Sequence, residues 1–120
     1  MKQYVSWEKV RVGVHEISKE ARKRKYSGIY GIPRGGLVPA VMLSHKLKVP
    51  LLSTLSEVKN VLIVDDISDT GKTLLEFKKR GYDIATLFYK EGSLVKPNFW
   101  KYKKDTDWIV FPWESDWVKQ

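Results

Sequence analysis

Apolar positions recur along this chain with two spacings. From Ser6 onward, Val10, Val14, Ile17 and Ala21 return every three or four residues, which is the spacing of one helix face. Ser6 is placed to cap that helix, and the basic run KEARKRK closes it. SGIYGIP then predicts a short buried strand, Arg34-Gly35-Gly36 a turn, and LVPAVMLSHKLK a helix that tolerates Pro39 in its first turn. VPLLST predicts a further short strand. In NVLIVDDI the residues Val61, Leu62, Ile63 and Val64 are continuously apolar, the pattern of a strand buried on both faces at the centre of a parallel sheet. TLLEFKKRG has a helical pattern ended by Gly81, DIATLFYK reads as another apolar strand, and DWIVFPW as a last extended segment.

Strands that alternate with helices predict an α/β fold, a mostly parallel twisted sheet flanked by helices. With 120 residues, no internal repeat and no Pro/Gly/Ser linker, residues 1–120 are expected to form a single domain. Composition narrows the class. Apolar residues make up 42% and charged residues 30%, and no apolar run approaches the roughly 20 residues of a membrane span. The start MKQYVSWEKV has no apolar segment of signal-peptide length and cysteine is absent, so a cytoplasmic location is expected. A net charge of +8 favours an anionic partner, although solvated helix faces such as Lys19 to Lys25 produce the same total. No aromatic-basic motif of the nucleic-acid binders is present, so no nucleic-acid partner is expected. His15 and His45 are isolated and lack metal-ligand spacing. Trp108, Trp113 and Trp117 make the tail aromatic, which suits packing on the sheet or a subunit contact.

In an open parallel sheet a ligand lies beyond the carboxyl ends of the strands, where strand-to-helix connections converge. Two connections here carry chemistry: Pro33-Arg34-Gly35-Gly36, and the segment from Asp65 to Thr73. Each precedes a helix and so offers backbone N–H groups and a helix dipole to an anion. Gly71-Lys72-Thr73 is the end of a Walker A loop, but the position of its first glycine is Asp66, whose carboxylate would oppose the phosphates. The acids fit better with a ligand that has a phosphate at one end, for Thr70-Gly71-Lys72-Thr73, and hydroxyls or a divalent cation in the middle, for Asp65 and Asp66. A phosphorylated sugar has that form.

An apolar strand, two acids and then ISDTGKT resembles the phosphoribosyl pyrophosphate (PRPP) signature of the type I phosphoribosyltransferases. YVSWEKV, GIPRGGLVPAVMLSHKL, IATLFYK and DTDWIVFPWE are similar, in the same order, to segments of the bacterial xanthine-guanine branch of that family. The resemblance implies the family's fold with a reduced hood, and an enzyme that transfers the 5-phosphoribosyl group of PRPP to a 6-oxopurine with release of pyrophosphate, in purine salvage. It also implies Mg2+ as cofactor, partners limited to the small-molecule substrates and products (PRPP, purine base, nucleoside monophosphate, pyrophosphate), and a homo-oligomer, dimer or tetramer.

Matched residue by residue, Asp65 and Asp66 hold the ribose hydroxyls and the magnesium, Asp69 takes or relays a purine proton, and Thr70, Gly71, Lys72 and Thr73 bind the 5′-phosphate. Arg34, Gly35 and Gly36 match the pyrophosphate loop, in which the family usually has Ser before Arg and often a strained or cis peptide, where this chain has Pro33. Lys90 matches the lysine that reads the 6-oxo group, Trp108 the ring that stacks on the base, and Ile109 a backbone neighbour of the base. One departure is large: between VPLLST and Val61 the chain has only LSEVKN, where the family carries a longer lid. A missing lid implies weak turnover, a lid from a partner subunit, or a PRPP- or nucleotide-binding regulator without turnover. A phosphoribosyltransferase for another base is the other alternative.

Overall fold

The structure is a computed structural model that describes residues 1–55 and 60–114. Its main sheet has four parallel strands in the order β2-β3-β4-β5: β2 (Gly28–Gly31), β3 (Val61–Ser68), β4 (Asp83–Tyr89) and β5 (Phe99–Lys103). A second sheet joins β1 (Lys2–Tyr4) to β6 (Trp108–Val110), also in parallel. The helices are α1 (Trp7–Ala21), α2 (Leu37–Leu47) and α3 (Lys72–Lys79). This is the expected α/β architecture, a parallel sheet flanked by helices, with the small β1–β6 layer beside it.

β3 is central because its apolar run is buried on both sides. Leu62 and Val64 join the core made with Val10, Val14 and Ile17 of α1 and Ala40 and Leu43 of α2. Val61 and Ile63 point the other way, into a second core with Leu74 of α3 and Ile84. That alternation is the period of a strand, and each fully buried side chain contributes about 1.5–3 kcal/mol. α1 begins as its sequence predicts, with the Ser6 hydroxyl accepting from the Lys9 N–H at 3.0 Å, and its buried face carries Val10, Val14, Ile17 and Ala21.

Three expectations change. VPLLST forms a single parallel bridge between Leu51 and Ile29 rather than a strand, since Pro50 has no N–H to extend the ladder. The segment from Asp65 to Thr73 is not all loop: β3 continues through both acids to Ser68, paired with β4 up to Tyr89. β5 and β1 were not predicted. β5 (FWKYK) alternates half-buried aromatic residues with exposed lysines at the sheet edge, so its apolar signal is weak, and β1 is only three residues long. Of the segment expected to lack the lid, residues 56–59 lie outside the described residues, and so does Trp117.

Candidate active site

The carboxyl ends of β2, β3, β4 and β6 open on one side of the molecule and bring together most of the residues singled out from the sequence. After β2 the chain turns through residues 33–36 into α2, with a cis peptide between Pro33 and Arg34. The Ile32 N–H donates to the Val64 carbonyl at 2.9 Å, which ties this turn to β3 just before the acids. At Gly35 a Cβ would overlap the Asp66 carboxylate, and at Gly36 one would overlap the Val64 carbonyl oxygen. Glycine is therefore required here by close approach: the turn lies directly on the acid pair.

Asp65 and Asp66 end the buried part of β3, and neither has a basic partner among the described residues. The Asp66 N–H donates to Asp65 Oδ1 at 2.9 Å, so one backbone amide helps hold the pair. Burial, and then the neighbouring Asp66 charge, push the Asp65 carboxyl up to about 8. Burial also raises Asp66, with a further contribution from the nearby Glu114 carboxylate. Two half-buried carboxylates that resist ionisation are poorly satisfied by the protein alone, and a cation or sugar hydroxyls would relieve them. Among the described residues no group of three or more His, Cys, Asp or Glu could hold a metal ion. That donor set still fits Mg2+, which commonly binds through one or two carboxylates and completes its shell with water and substrate phosphate oxygens.

Beyond Ser68 the chain turns through Asp69 and Thr70 to Gly71, which has φ +84° and starts α3 without a side-chain cap. A Cβ at Gly71 would meet Ser93, Leu94 and Val95, because the segment after β4 packs onto this turn. The Leu94 N–H donates to the Thr70 carbonyl at 2.9 Å, and the buried Ser68 hydroxyl donates to the Val95 carbonyl at 2.7 Å. The turn is thus held from outside, and within it the Lys72 N–H donates to the Thr70 hydroxyl at 3.3 Å, while the exposed Lys72 and Thr73 side chains stand at the amino end of α3, where the helix dipole favours an anion.

Two neighbouring cavities share Asp66 and Glu114. One, of about 540 Å³, is lined by Arg34, Gly35, Asp66, Trp113 and Glu114. The other, of about 190 Å³, lies between Asp66, Asp69, Lys104, Trp108 and Ile109. The first sets a cation opposite the acids, and the second offers a flat ring and a carboxylate. β1 supports the ring's position, since the Trp108 N–H donates to the Met1 carbonyl at 2.8 Å. Trp113 does not face this second cavity; it stacks on Phe111 with ring centroids 4.9 Å apart. Lys90 follows β4 with an exposed side chain and lines neither cavity; its N–H donates to the Ser68 carbonyl at 2.9 Å.

Sequence reading missed two residues of the site. Lys104 places its amine 2.6 Å from Asp69 Oδ2 and 5.4 Å from the centre of the Trp108 ring, with only 8% of its side chain exposed. Glu114 accepts from the Phe111 N–H at 2.6 Å and reaches both cavities. Glu114 closes the DTDWIVFPWE segment and was within reach of the sequence. Lys104 stands in a lysine-rich run, KYKK, where nothing distinguishes it from its solvated neighbours.

Comparison with known proteins agrees with this geometry. The phosphoribosyl transferase domain model matches residues 51–120. The xanthine-guanine phosphoribosyltransferase of Nitratidesulfovibrio vulgaris is 31% identical, over 93% of this chain and 84% of that protein. The crystal structure of a purine phosphoribosyltransferase from Pyrococcus horikoshii superposes with a TM-score of 0.82 at 35% identity, covering 95% of both chains. The xanthine-guanine-hypoxanthine enzyme of Helicobacter pylori has a TM-score of 0.84 at 20% identity, over 99% of this chain and 96% of that one, and shows the fold.

Proposed function

We infer that this chain, which belongs to the type I phosphoribosyltransferase family and is a PRPP-dependent pentosyltransferase, acts on a 6-oxopurine base. The observation that carries the reading is the contact between three pieces of chain: the Arg34-Gly35 turn lies against the unpaired Asp65–Asp66 pair, which leads into the Asp69–Thr73 turn. In this reading Thr70, Gly71, Lys72 and Thr73 hold the 5′-phosphate, Asp65 and Asp66 take the ribose hydroxyls, and Arg34, Gly35 and Gly36 face the pyrophosphate. Asp69, Trp108 and Ile109 form the base end, and Lys90 stands at its rim. The named activities of the two relatives above 30% identity support a purine as acceptor.

A ring nitrogen of the base attacks the anomeric carbon, the bond to the pyrophosphate oxygen breaks, and the displaced ring proton passes to Asp69. Positive charge develops on the ribose while negative charge grows on the leaving group. Asp65 and Asp66 favour the first, and Arg34 with the backbone N–H groups of its turn favours the second. Both reactants are held side by side where the turns after β2 and β3 meet β6, so a two-body encounter becomes a local step. Mg2+ held by Asp65 and Asp66 would supply further charge neutralisation of the pyrophosphate.

The test is direct: the protein is incubated with PRPP, Mg2+ and each of guanine, xanthine, hypoxanthine, adenine, orotate and uracil. Nucleoside monophosphate is expected with one or more of the first three. Product only with another base reassigns the acceptor. PRPP binding with no product from any base favours the regulator reading, which the short LSEVKN connector supports.

A further inference from the structure

We propose that single-stranded nucleic acid binds along a surface that runs from the chain leaving α1 to the edge strand β5, at the end of the sheet away from the candidate active site. Three helix ends lie there, and each carries cations: Arg22 to Lys25 follow α1, Lys46 and Lys48 stand at the end of α2, and Lys78 to Arg80 at the end of α3. Arg22 donates to the Lys46 carbonyl at 3.0 Å, which joins the first two runs, and both Arg24 and Lys78 act on Asp83 at the start of β4. Cations in the last turn of a helix offset its dipole, but that effect fades within one turn, and Lys23, Arg24 and Lys25 lie past the end of α1. Among the described residues Lys25, Lys46, Lys48, Lys78 and Lys79 have no carboxylate at salt-bridge distance. Their charge is left for a partner outside the chain.

Two grooves share Arg24. The smaller, of about 180 Å³, lies between Arg22, Arg24, Lys25, Tyr26, Leu47 and Val49, a basic recess for a phosphate group. The larger, of about 550 Å³, continues from Arg24 between Lys19, Phe99, Trp100 and Lys101, with Glu16 and Glu20 also in its wall. Those two acids are already paired, Glu16 with Lys19 at 3.0 Å and Glu20 with Lys23 at 3.1 Å. Trp100 is half-buried and held against Tyr89 with ring centroids 5.2 Å apart, and the Arg24 guanidinium lies 5.6 Å from the centre of the Phe99 ring. Cations that track a phosphate chain beside aromatic rings that accept bases are the two means by which proteins hold single strands without reading their sequence. An anionic membrane fits less well, because none of the exposed large apolar side chains stands in the three basic runs. No linear motif announces this surface, since Arg24 and Trp100 come from opposite ends of the chain; the expectation of no nucleic-acid partner rested on linear motifs alone.

The test is fluorescence anisotropy of a labelled oligouridylate of about 12 nucleotides, titrated between about 50 and 200 mM KCl with wild type, the double variant Lys25→Gln/Lys101→Gln, Trp100→Leu, Trp100→Phe and Lys72→Gln. Thermal melting establishes that each variant is folded. Wild type is expected to bind with a Kd that rises steeply with salt. Removing two cations in Lys25→Gln/Lys101→Gln should lower the slope of log Kd against log salt by about 1.4. Trp100→Leu should weaken binding roughly 10-fold with the slope unchanged, and Trp100→Phe, which keeps a ring, should bind nearly as wild type. Where Trp100→Leu does not fold, the exposed lysine pair carries the test. Lys72→Gln and excess PRPP should leave binding unmoved. No saturable binding at the lowest salt, a slope unmoved in the double variant, or a folded Trp100→Leu that binds as wild type overturns the proposal. Binding lost in Lys72→Gln or displaced by PRPP overturns it by moving the strand to the candidate active site, and tighter binding to phosphatidylserine vesicles than to the oligonucleotide overturns it in favour of a membrane. The readout involves no turnover, so the proposal and the purine reading above fail separately.

Discussion

One acid at the start of β4 and a pair of acids farther along β3 sit on two neighbouring strands and behave in opposite ways. At the amino end of β4, Asp83 Oδ2 accepts from the Tyr26 hydroxyl and from Arg24 Nη1, each at 2.6 Å. Burial there favours the neutral carboxyl, but the hydrogen bonds from Tyr26 and Arg24 outweigh it and hold Asp83 below the usual carboxylate range. Further along β3, Asp65 and Asp66 have no cationic or phenolic partner among the described residues; the hydrogen bonds they receive, such as that from the Asp66 N–H to Asp65, do not outweigh burial, which drives both carboxyls upward. Asp83 is satisfied by its partners; the acid pair is held in its neutral form by burial and left without a cationic partner. Under the proposed function, that contrast marks the place where ligand oxygens and a cation would bind.

The contrast can be broken from the functional side first. Asp69→Asn is expected to slow turnover about 100-fold or more while PRPP affinity changes little, as read by single-turnover kinetics and calorimetry. Equal losses in both would move Asp69 from proton handling to ligand binding. Gly35→Ala forces a methyl group into the Asp66 carboxylate, and a displacement on the order of 1 Å there should lower kcat/KM by roughly 100-fold. An active Gly35→Ala enzyme would show that the turn can move away without harm.

Stability measurements sharpen the same comparison with smaller effects and opposite signs. Asp65→Asn removes the half-buried charge and should stabilise the ligand-free protein by about 1–2 kcal/mol while impairing catalysis. The pH dependence has a definite sign. Because the folded value for Asp65 is raised, from 3.8 to about 8, its contribution favours the fold at low pH and is lost as pH rises through that interval. The stability gap between Asp65→Asn and wild type should therefore widen from pH 4 toward pH 8 in urea titrations. For Asp83 the folded value is lowered, so its contribution is present above the usual carboxylate range and is lost as pH falls through the folded value. Tyr26→Phe, the mildest change, removes one hydrogen bond to Asp83 and should cost about 1 kcal/mol with activity retained.

The difference between the two places also explains what could be read from sequence. Val61–Val64 followed by Asp65, Asp66, Asp69 and Gly71-Lys72-Thr73 was legible because a buried strand, its acids and its turn are contiguous, and local pattern carries them all. The Asp83 cluster was not legible, since Arg24, Tyr26 and Asp83 meet only when α1's trailing segment folds over β4. Lys104 was missed for the same reason: its partner Asp69 is 35 residues away. β5 was hidden by its lysines, and the VPLLST segment was over-read because its apolar residues gave no warning of how far Pro50 would limit pairing.

The central claim is that the acid pair is left unsatisfied in order to hold an activated ribose and its cation. The measurement that tests it most directly is calorimetric titration of PRPP into wild type and Asp66→Ala, each with and without Mg2+. Saturable binding that Mg2+ strengthens in wild type, with that strengthening largely lost in Asp66→Ala, is the predicted result. Failure of wild type to bind PRPP, or the same metal dependence in both proteins, would contradict it.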